Sequence, residues 1–154
     1  MSGAAERLAA LGLTLPPVTA PVAAYVPAVR TGTYVYTSGQ LPVVDGKLPA
    51  VGKVGAEVSA EDAAGMARTC ALNALAAAAA AAGGLEAIRR IVKVTGFVAS
   101  APGFGGQPQV INGASELLIE VFGEDGKHSR SAIGVAELPL NAPVEVELIA
   151  EVRD

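Results

Sequence analysis

The feature that most constrains the fold is an alanine-rich segment with helix signals at both ends. Ser59 is a favourable N-cap residue, Asp62 completes a capping box, and Glu61 places negative charge where the helix dipole is positive. Gly83–Gly84 supplies the stop, so the segment predicts a helix of about 23 residues, roughly 35 Å long. The run Ala76–Ala82 leaves little side-chain bulk, so this helix is expected to lie close against a sheet.

The rest of the chain predicts strands and helices that can form such a sheet. In order we expect a short helix (Ala4–Leu11), a hairpin (Val22–Val29 and Tyr34–Thr37, turning at Thr31–Gly32), the long helix, a strand through Val92–Val98, a helix from Pro108 to Gly123, and two strands (Ser131–Val135 and Val144–Val152). Two helices on one face of a mixed sheet make an α+β sandwich. We predict a single domain over residues 21–154, preceded by an N-terminal helix and an extended arm over residues 1–20. Several strands are apolar on both sides, which favours self-association.

Composition and charge exclude several classes of function. The chain has 154 residues, of which 51% are hydrophobic and 17% charged, with a net charge of −4, so disorder and an electrostatic nucleic-acid surface are both disfavoured. The single cysteine, Cys70, cannot form an internal disulfide, and the single histidine, His128, excludes a His-based metal cluster or triad. No segment reads as a signal peptide or a membrane span, so we expect a cytoplasmic protein without a membrane partner.

Two glutamates in an otherwise apolar strand are the most unusual polar feature. Glu145 and Glu147 lie either on a solvent-facing sheet surface or at an interface, where a carboxylate needs a hydrogen-bonding or charged partner. Arg130, beside a neighbouring strand, could hold a carboxylate ligand in a bidentate fork.

Three further polar residues are candidates for a small cleft. Ser38 precedes Gly39 at a strand end and could line a cleft or only form a turn. Asn112 lies beside the apolar ridge of the second long helix, where it could reach a ligand or remain an ordinary exposed residue. Tyr25 could cap a pocket or simply pack.

Three stretches together resemble the Rid/YjgF family, long labelled endoribonuclease L-PSP, over about residues 21–152. They are Tyr34–Pro42, which contains Ser-Gly-Gln-Leu-Pro, Ala71–Leu75, and Arg130–Pro139 together with Val144–Glu147. Within the family the chain is similar to a longer branch with an N-terminal extension and the sequence Asn112–Leu117.

This resemblance implies a chorismate-mutase-like fold, a homotrimer with clefts between subunits, and cofactor-free hydrolysis of 2-imino or enamino acids to 2-keto acids and ammonia. It assigns Arg130 to the substrate carboxylate and Glu145 to the attacking water, with Ser38, Asn112 and Tyr25 as substrate-binding positions. Ala132 is a fourth substrate-binding position by this resemblance; it stands where many deaminating members have cysteine, and its backbone carbonyl could still act there. A non-catalytic protein that binds small carboxylates is the alternative, and ribonuclease activity, with the charge against it, is the third.

Overall fold

The computed structural model describes residues 2–18, 20–21 and 23–154, and it has the helix and strand order expected from the sequence. The helices are α1 (Ala4–Ala10), α2 (Ala60–Ala82) and α3 (Gln107–Phe122), and the strands are β1 (Ala28–Thr31), β2 (Tyr34–Thr37), β3 (Ile88–Ala99), β4 (Ser129–Val135) and β5 (Val144–Val152). Short 3-10 turns cover Leu85–Ala87, Gly123–Gly126 and Pro139–Asn141.

Helix α2 begins and ends at the residues that its capping signals predict. The Ser59 hydroxyl accepts a hydrogen bond from the Asp62 amide at 3.1 Å, and Gly83 ends the helix with a left-handed φ of 96°. The small alanine side chains of α2 are mostly buried, and α3 packs beside it through Gly113, which touches the backbone of Ala64.

The five strands form one mixed sheet in the order β1-β2-β5-β3-β4. Only the β3–β4 pair is parallel, and the other neighbours are antiparallel. Helices α2 and α3 cover one face of this sheet, and the core lies between them and buried strand residues such as Val94, Val146 and Leu148. The α+β sandwich predicted from the sequence is confirmed.

The other face of the sheet, which we call the open face, carries a mixture of apolar and charged side chains. Along β5, buried Val144 and Val146 alternate with half-buried Glu145 and Glu147, which therefore point to the open face. Tyr36, Val29 and Ile133 on the same side are about half exposed, with 45%, 53% and 44% of their surface accessible.

The first predicted strand is wrong over most of its length. Val22 lies outside the described residues, residues 23–27 do not pair in the sheet, and β1 starts only at Ala28. Pro27 has no N–H to donate to a ladder, and its carbonyl instead accepts from the Ser38 amide at 2.8 Å. The hairpin turn lies one residue later than predicted, at Gly32–Thr33, because Gly32 supplies the positive φ of 59°.

Strand β4 differs slightly from its predicted bounds. Strand β4 starts at Ser129 rather than Ser131, since Ser129–Val135 pairs continuously with Lys93–Ala99 of β3. An antiparallel bridge between Val44 and Lys47 closes the turn at Asp45 and Gly46. Within the described residues, none of the helices has the length and apolarity needed to cross a bilayer.

Candidate functional site

The first cluster of candidate residues lies on the helix side of the sheet, between β4 and α3. Arg130 is in register with the fully buried Val94, so its side chain points toward the helices. Its Nη1 donates to Asn112 Oδ1 at 2.8 Å and to Ser115 Oγ at 3.3 Å, and its Nη2 donates to the Pro108 carbonyl at 3.4 Å. Arg130 is half-buried, and these three contacts, all to α3, fix the orientation of its guanidinium.

One edge of this guanidinium remains available. An arginine has five N–H donors, and the three contacts above leave the Nε–H and one Nη2–H without an acceptor among the described residues. No carboxylate of the described chain pairs with Arg130. Nε and Nη2 form the edge that binds a carboxylate through two parallel hydrogen bonds. The arrangement is suited to an external carboxylate.

Ala132 lies on the same side of β4 as Arg130, two residues along the strand. It pairs with Gly96 of β3 and is half-buried against the core. A methyl group at this position adds no polar or nucleophilic atom, so only the backbone of Ala132 can offer polar contacts to a ligand.

The second cluster lies at the end of β2, where it meets β5. The Gln40 amide donates to the Val146 carbonyl at 2.8 Å, and the Val146 amide donates back at 3.0 Å, which holds Gly39 against the neighbouring Glu145. A Cβ atom on Gly39 would stand 2.6 Å from Glu145 Oε1, so the carboxylate occupies the space that glycine leaves free. Burial raises the pKa of Glu145 and the nearby Glu147 raises this pKa further.

Ser38 and Tyr25 join this second cluster through the loop before β1. The Ser38 hydroxyl donates to the Val26 carbonyl at 2.6 Å, which ties the strand end to the segment that carries Tyr25. Tyr25 is 58% exposed and lines a depression of about 290 Å³ that Gly39 and Leu140 also border. The Ser38 hydroxyl is therefore engaged structurally, whereas the Tyr25 phenol faces open space.

The two clusters do not meet within one chain. Arg130 points to the helix side of the sheet, whereas Glu145 points to the open face. Within the single chain Arg130 therefore does not favour the ionised form of Glu145, and burial and the nearby Glu147 raise the pKa of this carboxyl group.

Sequence reasoning missed three residues that build these clusters. Ser115 and His128 stand beside Arg130, and Asn73 of α2 donates to the carbonyls of Leu41 and Val43 at 3.0 and 3.1 Å. Asn73 thereby fixes the loop that follows Gly39. Only its position in the Ala71–Leu75 motif pointed to it.

The described residues contain no group of three or more His, Cys, Asp or Glu side chains that could hold a metal ion. Cys70 is buried in α2, and burial raises its thiol pKa well above the ordinary value.

Together, the fold and the two clusters define a chorismate-mutase-like α+β domain with one polar cluster on each side of its sheet. The family model described as "YjgF/chorismate mutase-like, putative endoribonuclease" matches residues 5–152, and the chain belongs to this family. The resemblance found in the sequence is thereby confirmed.

Individual relatives match this chain over nearly its full length. The chain is 42% identical to protein TCP17 of Trypanosoma cruzi over 151 residues, which cover 97% of this chain and 94% of that protein. The structure of Atu1372, a protein of unknown function from Agrobacterium tumefaciens, is similar with a TM-score of 0.90 and 47% identity, covering 97% and 92% of the two chains. The structure of E. coli TdcF with bound serine is similar with a TM-score of 0.64 and 29% identity, covering 89% and 94%.

Proposed function

We propose that this protein hydrolyses 2-imino acids, and the enamino acids that tautomerise to them, to 2-keto acids and ammonia. The observation that carries the proposal is the guanidinium of Arg130, which is fixed by Asn112, Ser115 and Pro108 while one edge stays open to a carboxylate. Serine bound to E. coli TdcF supports a site for small molecules that carry a carboxylate.

The site proposed for this reaction lies between subunits of a homotrimer. Arg130 and Asn112 of one subunit would contact the substrate carboxylate, and Glu145, Gly39 and Tyr25 of the next would face its reacting carbon. The open face supports assembly, because Tyr36, Val29 and Ile133 expose apolar surface there in a single chain.

The reaction needs orientation and proton transfer but no redox chemistry. A water held by Glu145 adds to the imine carbon as the carboxylate takes one proton, and the C=N electron pair moves to nitrogen. Glu145 returns this proton to nitrogen, giving a carbinolamine. Transfer of the hydroxyl proton to nitrogen then accompanies C–N cleavage, C=O formation and release of ammonia. The raised pKa of Glu145 brings its proton affinity closer to that needed near neutral pH.

The direct test uses 2-iminobutanoate generated in place by an amino-acid oxidase, with release of the 2-keto acid as the signal. We expect Arg130→Ala to lower kcat/KM by about a hundredfold or more, and Glu145→Gln to lower kcat by about 10²–10⁴-fold. Arg153→Ala, which removes an exposed arginine whose Nε donates to the Glu86 carbonyl at 3.2 Å, is the matched control. If the wild-type protein does not accelerate release of the keto acid, the proposed reaction is wrong.

Binding without turnover is the alternative that the same experiment resolves. The Arg130 cluster alone suffices to bind a small carboxylate, so saturable binding of 2-oxobutanoate without imine hydrolysis would favour a non-catalytic, regulatory role.

The family description favours RNA cleavage as a further candidate. RNA cleavage by highly purified protein that is lost in Arg130→Ala would support this activity. The net charge of −4 leads us to expect no cleavage.

A further inference from the structure

The single histidine of the chain is joined to Arg130 by a continuous set of hydrogen bonds. His128 Nδ1 lies 2.6 Å from the Gly126 carbonyl oxygen, and its Nε2 lies 2.9 Å from Ser115 Oγ. The Ser115 oxygen in turn accepts from Arg130 Nη1 at 3.3 Å. Three elements meet here: the 3-10 turn Gly123–Gly126, helix α3 and strand β4.

These contacts fix which atoms carry protons. A carbonyl can only accept, so His128 Nδ1 must carry hydrogen and donate to Gly126. In the neutral ring Nε2 is then an acceptor, and the Ser115 hydroxyl donates to it. The lone pairs of Ser115 Oγ consequently face Arg130, so every hydrogen bond in this set has one defined direction.

The neutral imidazole is the form expected at neutral pH. Burial lowers the pKa of His128 below its ordinary value and the Arg130 guanidinium lowers it further, against an opposing effect of the Gly126 hydrogen bond. Other charged or titratable groups nearby are Lys127, Glu124 and Asp125 on the adjoining turn, and Arg90, Glu151 and Tyr34, three residues that border a depression with His128. Lys127 pairs with Glu124 at 2.8 Å, and Arg89 pairs with Glu151 at 3.3 Å. Arg130 is the charged group that changes the pKa of His128.

We propose that His128, acting through Ser115, is a positioning residue for Arg130, and that its imidazole takes up a proton when a carboxylate binds to that arginine. The inference rests on the proposed function only in taking a carboxylate as the ligand of Arg130, and it does not depend on turnover.

The positive charge of the Arg130 guanidinium is the reason why carboxylate binding would lead to proton uptake by His128. A carboxylate bound to Arg130 offsets the positive charge that disfavours the imidazolium form of His128, so the pKa of His128 rises on binding. By linkage, carboxylate binding and protonation of His128 favour each other by the same free energy. Carboxylate binding therefore tightens as the pH falls and His128 becomes protonated. Protonation of His128 does not break the hydrogen bond between Arg130 and Ser115. Ser115 Oγ has two lone pairs, so it can accept from the imidazolium and from the guanidinium at the same time.

The decisive measurement is NMR of the His128 ring, whose signals need no assignment because the chain has one histidine. In the free protein we expect the Nδ1–H tautomer, and the Nε2–H tautomer would contradict the hydrogen-bond directions. On saturation with 2-oxobutanoate we expect the pKa of His128 to rise. Binding of 2-oxobutanoate with no such rise overturns the inference and leaves the proposed function standing.

Affinity for 2-oxobutanoate as a function of pH gives the second readout. In the wild type we expect binding to tighten about three- to tenfold between about pH 8 and pH 5. His128→Gln cannot titrate, and its amide oxygen can still accept from Ser115, so its affinity should match the wild type at about pH 8 and tighten less than that of the wild type toward pH 5. The pH dependence that remains is expected from Glu145, whose pKa is raised and which lies in the same proposed cleft. An H128Q protein with the wild-type pH profile would refute the coupling.

Two further variants separate positioning from general electrostatics. His128→Leu removes the acceptor for Ser115, so we expect binding about three- to tenfold weaker at every pH. Lys127→Gln removes a neighbouring exposed charge without touching these contacts and should leave the pH dependence unchanged. Absence of any 2-oxobutanoate binding to the wild type would overturn both the coupling and the carboxylate-binding part of the proposed function, whereas binding without imine hydrolysis would overturn turnover alone.

Discussion

The close contact between Gly39 and Glu145 provides the sharpest test of the catalytic geometry. A methyl group at residue 39 would lie 2.6 Å from Glu145 Oε1 and 2.8 Å from its Cδ, whereas ordinary contact begins near 3.4 Å. In Gly39→Ala the carboxylate must therefore move by about 0.8 Å. The backbone of Gly39 does not have a positive φ, so alanine fits its conformation without strain.

We expect Gly39→Ala to lower turnover rather than to impair folding. A misplacement of about 1 Å at a catalytic group costs roughly 10²-fold in rate, so kcat for 2-iminobutanoate should fall by about that factor. The clashing atoms belong to a flexible side chain that can rotate away, and the melting temperature should change little.

The matched control is Gly105→Ala, because Gly105 also lacks a positive φ and a Cβ there would meet no atom within 4 Å. Both variants are compared in the oxidase-coupled assay and by thermal melting. A Gly39→Ala protein with wild-type kcat would refute the assigned position of Glu145. A large loss of stability would refute the claim that only the side chain yields.

The remaining predictions concern packing, pH dependence and thiol reactivity. Gly113→Ala inserts a methyl group between α2 and α3 and should lower the free energy of unfolding by about 1–3 kcal/mol, whereas Gly65→Ala, where a Cβ meets nothing within 4 Å, should raise it by about 0.5–1 kcal/mol in urea titrations. The raised pKa of Glu145 places the acid limb of the kcat–pH profile above that of a free glutamate, since only the ionised form accepts a proton. Glu147→Gln removes the nearby negative charge and should move this limb to lower pH, so an unmoved limb would count against Glu145 as the base. Cys70, buried and with a raised pKa, should react with a thiol reagent only after denaturation, and rapid labelling of the native protein would contradict this.

The sequence predicted those parts of the fold whose signals are local. The cap at Ser59, the left-handed stop at Gly83 and the strict alternation along β5 each depend on neighbouring residues, and all are present. The strand predicted before Ala28 is wrong because an apolar composition alone does not distinguish a strand from another buried segment. The conformation of this segment is instead fixed by Pro27 and by the hydrogen bonds from Ser38.

The two clusters are formed by residues that lie far apart in the sequence and meet only through the packing of helices and strands. No local sequence pattern indicates such contacts. Asn112 and Arg130 are 18 positions apart, and they meet because α3 packs against the parallel β3–β4 pair. Strand β4 has no clear polar alternation, so nothing local indicated that Arg130 faces the helices. His128 and Ser115, 13 positions apart, likewise gave no spacing signal, and a lone histidine suggested only that metal clusters were excluded.

The placement of Arg130 and Glu145 on opposite sides of one sheet makes subunit complementation possible. In the proposed trimer, an Arg130→Ala subunit keeps its carboxylate intact, and a Glu145→Gln subunit keeps its guanidinium. Co-refolding the two inactive proteins in equal amounts would rebuild about a quarter of the clefts with both groups native. Activity in such hybrids would report the cooperation of neighbouring chains, whereas persistent inactivity would mean that each chain works alone.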